Sequence, residues 1–283
     1  MIQSELATFS VDLHTHSTAS DGLLAPVDLV RLAASVGLNT IALTDHDTTQ
    51  GIDEALSAAA EVGIEVIPGV ELSCSVSAGE LHMLGYFIGH HSTDLQEQLA
   101  AFREGRRDRV VHIIERLNDV NVQVGLARVR ELGSGGSIGR AHVARALVES
   151  GAVSSMDEAF ERYLSRGRPG YVERPRLTPA GAVELVHRSD GVAVLAHPYT
   201  VDGLDATLNQ LVAAGLDGLE VYYGLYNSDQ HARLARLARA NGLVATGGSD
   251  FHGPGEREGR DIGTAPVPAE TIELLRALHG RAH

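Results

Sequence analysis

Apolar and polar side chains alternate from Val11 to His16 with the period of a strand. Short strand-like runs recur at Thr40–Thr44, Glu65–Val70, Leu81–Ile88, Val192–Ala196, Gly218–Tyr222 and Leu243–Gly247. Between most of them, apolar residues fall at helical spacing: Pro26–Val36, Ile52–Val62, Pro179–Arg188, Leu204–Ala214, Ser228–Ala240 and finally Glu270–Leu278. The first helix has proline at its start and Gly37 just past its end, which are proper start and stop signals. Helices of this length between strands predict parallel strands with crossover helices, hence an α/β sheet or barrel. The link between the third and fourth strands is too short for such a crossover.

Residues 93–176 follow a different pattern. Helical spacing predicts helices over Leu95–Leu117, Arg140–Ser150 and Met156–Leu164, with the Gly/Ser-rich stretch Gly133–Ser137 and the loop S-R-G-R-P-G-Y among them. We read this as an inserted, mainly helical domain, flanked by a barrel of residues 1–92 and 177–283. Met1–Ser10 shows no pattern and reads as a mobile lead-in. From pattern alone an open doubly wound sheet is the alternative, but no G-x-G-x-x-G follows the first strand.

Ligand-type residues gather at the ends of the strand-like runs. V-D-L-H-T-H places His14 and His16 two apart, on one face of a strand. T-D-H-D follows the second run, P-G-V-E closes the third, His82 opens the fourth, A-H-P closes the fifth and G-S-D-F-H the last. In a parallel sheet these ends meet at one face, and imidazole with carboxylate suits zinc, manganese or iron.

In this order, D-L-H-T-H-S-x-x-S-D-G, T-D-H-D, P-G-V-E, A-H-P and G-S-D-F-H resemble the polymerase and histidinol phosphatase (PHP) superfamily of metal-dependent phosphoesterases. The match runs from about Val11 to His252. Within the superfamily the chain most resembles small stand-alone bacterial enzymes with a helical insert, some of which act on nucleoside 3′,5′-bisphosphates and on 5′-terminal nucleotides of short RNA. The resemblance implies a distorted (β/α)7 TIM-like barrel with its site at the carboxyl ends of the strands. It also implies three divalent metal ions, manganese first, with zinc or iron compatible. His14, His16, Glu71 and Asp250 would hold one; Glu71 would bridge to a second held by His82 and His197; Asp21, His46 and His252 would hold the third. Asp12 and Asp45 would orient imidazoles from behind, and Asp47 is either another such residue or a helix cap.

Composition narrows the chemistry. The chain has 283 residues, a formal net charge of -14 and a single cysteine, Cys74, so no internal disulfide forms and the cysteine is read as packing. The charge argues against a broad duplex-DNA face, though bound cations and local arginines can still accept a small anion. Its basic residues are all arginine, which removes lysine Schiff-base chemistry and the G-K-[ST] phosphate loop. There is neither a bilayer-length apolar run nor a basic-then-apolar N-terminus, so the expectation is a cytoplasmic protein without membrane contact.

Such a cluster suits phosphate-ester hydrolysis: a water bridging two cations loses its proton near neutral pH and attacks phosphorus as the ions neutralise the phosphoryl oxygens. His197, Asp250 or a bound water would protonate the leaving oxygen. In the insert, Arg140 and His142 open a helix after the glycine-rich turn, where backbone N–H groups and arginine form an anion site. R-G-R-P-G-Y adds Arg168 to grip phosphate and Tyr171 to stack on a base. The expected substrate is a small phosphorylated nucleotide or a short RNA 5′ end. The alternatives are a histidinol-phosphate phosphatase and a catalytically silent, metal-stabilised nucleotide-binding module.

Overall fold

The computed structural model describes residues 9–76, 81–133, 136–173, 176–256 and 259–281. The expected lead-in falls outside them except for its last two residues, as do two residues of the glycine-rich turn and His283. Among the described residues seven strands form one sheet in the order β1 (Val11–Thr15), β2 (Thr40–Leu43), β3 (Glu65–Cys74), β4 (Leu81–Tyr86), β5 (Val192–Leu195), β6 (Gly218–Tyr223) and β7 (Val244–Gly248). Helices α1 (Pro26–Ser35) and α2 (Ile52–Val62) are the first two crossovers. The helical segment comprises α3 (Thr93–Asp119), α4 (Leu126–Leu132), α5 (Arg140–Glu149) and α6 (Met156–Ala159), which continues into a π-helical turn, Phe160–Leu164. The alternation resumes with α7 (Pro179–Arg188), α8 (Leu204–Ala213), α9 (Ser228–Ala240) and α10 (Thr271–His279).

β4 runs against its neighbours. It pairs antiparallel with β3, Ser73 opposite His82 and Cys74 opposite Leu81, and antiparallel with β5, while the remaining pairs are parallel. Because β4 is reversed, its first residues lie at the rim where the parallel strands end, and His82 joins their carboxyl ends. The seam between first and last strands is drawn together beyond their ends. Thr15 bridges Phe251, the His16 N–H donates to the Phe251 carbonyl at 2.9 Å, and the Phe251 N–H donates to the His14 carbonyl at 3.4 Å. The sheet is thus nearly closed into the expected barrel.

Alternate strand residues fill its interior: Val11, Leu13, Ala42, Ile67, Leu84, Tyr86, Val192 and Val194 pack with Ile272 and Leu275 of α10. The outward set, with Ile41, Leu43, Val66 and Val70, packs under the crossover helices. The helical segment gathers a second core from Val110, Ile113, Leu117, Val129, Val143, Leu147 and Leu164. α3 belongs to both, because Leu95 and Leu99 pack on the barrel and Val110 to Leu117 on the second core. Packing therefore changes hands within α3 and not at its start. No helix among the described residues is long and apolar enough to cross a membrane.

Gly248 allows the seam to close, since a Cβ there would stand 2.4 Å from the His14 nitrogen and 2.9 Å from its Cα. Neither backbone atom can step aside alone. Gly248→Ala is expected to destabilise the fold by about 1–3 kcal/mol, the usual scale of overpacking, measured as a lower thermal midpoint.

Candidate metal centre

Glu71 is the hub of the rim. Its Oε2 lies 3.3 Å from His14 Nε2, 3.2 Å from His16 Nε2 and 3.0 Å from His46 Nδ1. Its Oε1 lies 2.7 Å from His82 Nδ1 and 3.0 Å from His197 Nε2. Five imidazoles from β1, β4 and the ends of β2 and β5 thus surround one buried carboxylate. Asp250, just past β7, brings Oδ1 to 3.5 Å from His14 Nε2 and 3.2 Å from His16 Nε2. Asp21 and His252 close the outer side, Asp21 Oδ1 at 3.4 Å from His252 Nε2 and Oδ2 at 3.9 Å from His46 Nε2. His14, His16, Glu71 and Asp250 offer donor atoms within 4.8 Å of one another. So do His16, Asp21, His46 and His252, and so do His46, Glu71 and His82.

These donors suit cations better than they suit one another. His14 Nε2, both nitrogens of His16, His46 Nδ1 and Glu71 Oε2 are buried and make no hydrogen bond. Leaving a polar atom so costs roughly 1–3 kcal/mol, and a divalent ion held by imidazole nitrogen and carboxylate oxygen removes that cost. The carboxylates are ready to bind. Burial works to raise the Glu71 carboxyl, but His46, His82 and His14 hold it well below the usual range. Burial works likewise on Asp250 and is overcome by Arg260, His14 and His252. On His16 burial opposes the charge, yet Asp250 and Glu71 push the ring up to about 9.

The supporting groups differ from those expected. Asp12 accepts the backbone N–H groups of His14, Ser249 and Gly263, and Asp45 accepts from Ser17 and Ser20, so both pin loops and neither orients an imidazole. Asp47 does not cap α2, whose N-cap is Gly51. It accepts Arg106 Nε at 2.7 Å and the Ser73 N–H at 3.1 Å. Asp250 Oδ2 receives the Tyr223 hydroxyl at 2.8 Å and Arg260 Nη1 at 2.7 Å, and Thr200 Oγ1 stands 3.1 Å from His197 Nδ1. Asp47, His197 and Asp250 have left-handed backbones, φ 51°, 24° and 55°, the kind of local strain that surrounding structure must hold in place.

A cavity of about 380 Å³ is lined by residues of the histidine–carboxylate cluster, by Arg106, Arg109, Arg140, Arg176 and Arg260, and by Asp157 and Glu256. Arg106 is fixed by Asp47 and by its bond to the Ser73 hydroxyl at 3.1 Å, and lies against the start of α5, where a Cβ on Gly139 would be 2.7 Å from its Nη1. Arg140 lines the cavity as expected from its place at a helix start, its guanidinium 5.4 Å from the Phe160 ring.

The other three residues expected to bind substrate are not in the cavity wall. His142 is buried, its Nδ1 accepting the Gly139 N–H at 3.0 Å as a helix cap, and burial pushes its pKa down to about 4. Arg168 is exposed on its loop. Tyr171 packs between Arg109 and Arg166 and donates its hydroxyl to Glu173. In return, Arg106, Arg109, Arg176, Arg260 and the buried Glu220 went unrecognised in the sequence. A glutamate inside the apolar run G-L-E-V-Y-Y was the available signal for the last.

The PHP domain family profile matches residues 12–166. The chain belongs to the PHP family. It is 37% identical over 278 residues to the 3′,5′-nucleoside bisphosphate phosphatase of Chromobacterium violaceum, covering 96% of this chain and 97% of the relative. It is 40% identical over 249 residues to a 5′-3′ exoribonuclease of Escherichia coli, covering 86% and 85%. A solved structure from Bifidobacterium adolescentis, assigned as a metal-dependent phosphoesterase, superposes with a TM-score of 0.88 at 29% identity, covering 96% of this chain and 97% of that one. This PHP chain is therefore a hydrolase of phosphate esters that depends on divalent metal. The silent-module reading is set aside, and these relatives do not favour histidinol phosphate.

The Asp47–Arg106 pair joins the PHP rim to α3 and is buried at both ends. Arg106→Ala is expected to cost about 3–5 kcal/mol, the scale for removing one member of a buried pair, read from the thermal midpoint of metal-free protein.

Proposed function

We propose that the protein hydrolyses the 3′-phosphate of a nucleoside 3′,5′-bisphosphate to give the 5′-monophosphate, and that the same cavity trims 5′-terminal nucleotides from short RNA. Both reactions break the same bond, phosphorus to O3′, and differ only in what the departing phosphate carries. The observation behind this reading is a cavity lined both by a metal-capable cluster and by arginines from the helical segment, Arg106, Arg109 and Arg140. A substrate with one phosphate would use one of these groups; a nucleotide phosphorylated at both O5′ and O3′ would engage both.

The nine residues His14, His16, Asp21, His46, Glu71, His82, His197, Asp250 and His252 would hold three divalent ions, for which we favour manganese; zinc and iron share the donors. Bound there, the ions supply a nucleophile from water at neutral pH and neutralise the phosphoryl oxygens. The chain's own residues set the geometry. Arg106, Arg109 and Arg140 would bind the 5′-phosphate, Arg106 with its fork already oriented by Asp47 and Ser73. Asp250 is kept ionised by Arg260 and its neighbouring imidazoles, so it is not the acid that protonates the departing O3′. With His197 assigned to a cation and its Nδ1 at 3.1 Å from Thr200 Oγ1, that proton would come from solvent. His142, Arg168 and Tyr171 have no place in this scheme.

Purified protein with manganese, offered adenosine 3′,5′-bisphosphate, AMP, histidinol phosphate and a 5′-phosphorylated oligoribonucleotide, is expected to release phosphate from the first and 5′-mononucleotides from the last. Preference for AMP or histidinol phosphate would refute the assignment. His14→Ala is expected to abolish turnover with the fold retained. Arg140→Ala should raise KM for the bisphosphate about tenfold or more, the scale of a charged hydrogen bond worth about 1.5–3 kcal/mol, with a smaller change in kcat.

A further inference from the structure

We infer that Glu220 is the positioning residue of the centre, a single buried carboxylate that orients the ring of His14 and the backbone of His197 together. The inference rests on the metal-centre reading above and concerns a residue outside the nine. Glu220 is the third residue of β6, fully buried between the apolar Leu219 and Val221, and does not line the cavity. Its Oε1 is 2.9 Å from His14 Nδ1, and its Oε2 accepts the His197 N–H at 2.5 Å. β6 neighbours β5, which His197 follows, but is separated by β7 from β1, so the Glu220 side chain reaches past one strand to His14.

The chemistry of the two contacts dictates what Glu220 does. A carboxylate only accepts, so His14 must carry a proton on Nδ1, and Nε2 is the nitrogen left to take a cation. Nε2 is also the nitrogen that faces Glu71 and Asp250, at 3.3 and 3.5 Å, and the one without a hydrogen bond. At His197 the backbone stands at φ 24° and ψ 63°, a conformation an L residue leaves unless it is held. The bond from its N–H to Glu220 holds it, and the ring then meets Glu71 Oε1 at 3.0 Å. Both partners are donors, so two acceptors are required at once. Glutamine has the same size but one acceptor and one donor, and can satisfy only one partner.

Glu220→Gln is therefore the discriminating variant, tested on full-length protein stripped of metal with a chelator and then titrated with zinc against a chromogenic competitor. We expect the variant to melt within a few degrees of wild type without metal, yet to bind at least one ion about 10–100-fold more weakly, the usual effect of losing a ligand's outer hydrogen-bond partner. Long-range 1H–15N correlation of the zinc-loaded, histidine-labelled protein reads the ring itself: His14 should carry zinc on Nε2 and its proton on Nδ1 in wild type, and lose that pattern in the variant. Unchanged affinity and an unchanged His14 signature would overturn the inference while leaving the metal centre intact. Failure of wild type to bind zinc would instead overturn the metal-centre reading. If Glu220→Gln does not fold, Glu220→Asp is titrated; one methylene short, it should also weaken an ion, and wild-type affinity there would count against the inference.

Discussion

The structure depends on one concentration of charge, the Glu71 carboxylate with five imidazole rings around it at the rim of a nearly closed sheet. Nothing in hydrophobic burial favours such a cluster, because each donor removed from water without a partner opposes folding. It exists because the barrel's apolar interior and outer layer carry that cost, and because cations are suitable partners for the atoms left without hydrogen bonds. Binding to the folded state alone adds to stability in proportion to ligand concentration over its dissociation constant. Fold and metal occupancy are thus linked through the same residues that perform the chemistry.

Assembling that cluster places two demands on topology. The chain must bring strand ends distant in sequence to one rim, which parallel β-α repeats do by construction. It must also deliver His82, which opens a strand and would lie at the opposite rim if β4 ran parallel. The short β3–β4 link enforces the reversal, so loop length places a ligand here as surely as residue identity does. The long connection from β4 back to β5 is then free to carry the helical segment, whose α3 packs at one end on the barrel and at the other on a second core. Arg106 sits between the two stretches, and its bond to Asp47 ties α3 to the loop that follows β2 and carries His46.

Barrel and rim were legible in the sequence because both follow from period and position. Alternation marks a strand, and a histidine or carboxylate at its carboxyl end has one place to go. The substrate side was less legible because helix phase decides it. α3 carries Arg103, Arg106, Arg107, Arg109 and Arg116, and composition alone does not separate them. Only the packing of Leu99, Val110, Ile113 and Leu117 shows that Arg106 and Arg109 share the buried stripe, where a charged residue needs a reason to be. At the start of α5 the choice was among neighbours in sequence: Arg140 turned to the cavity and His142 turned inward to cap the helix. The R-G-R-P-G-Y loop has the composition of a phosphate grip, but Tyr171 is spent on its own arginines and Arg168 faces water.

A net charge of -14 is at odds with an anionic substrate only if charge is summed over the whole surface. Field in a cavity is set by what lines it, and here five arginines and a cation-binding cluster face a volume of about 380 Å³. The acidic remainder of the surface weakens attraction for long duplexes, whose binding grows with the number of phosphates neutralised, and matters less to a small anion inside the cavity. Within the cavity the five arginines are matched by the carboxylates Asp21, Glu71, Asp157, Asp250 and Glu256, so a net positive field there would come from bound cations.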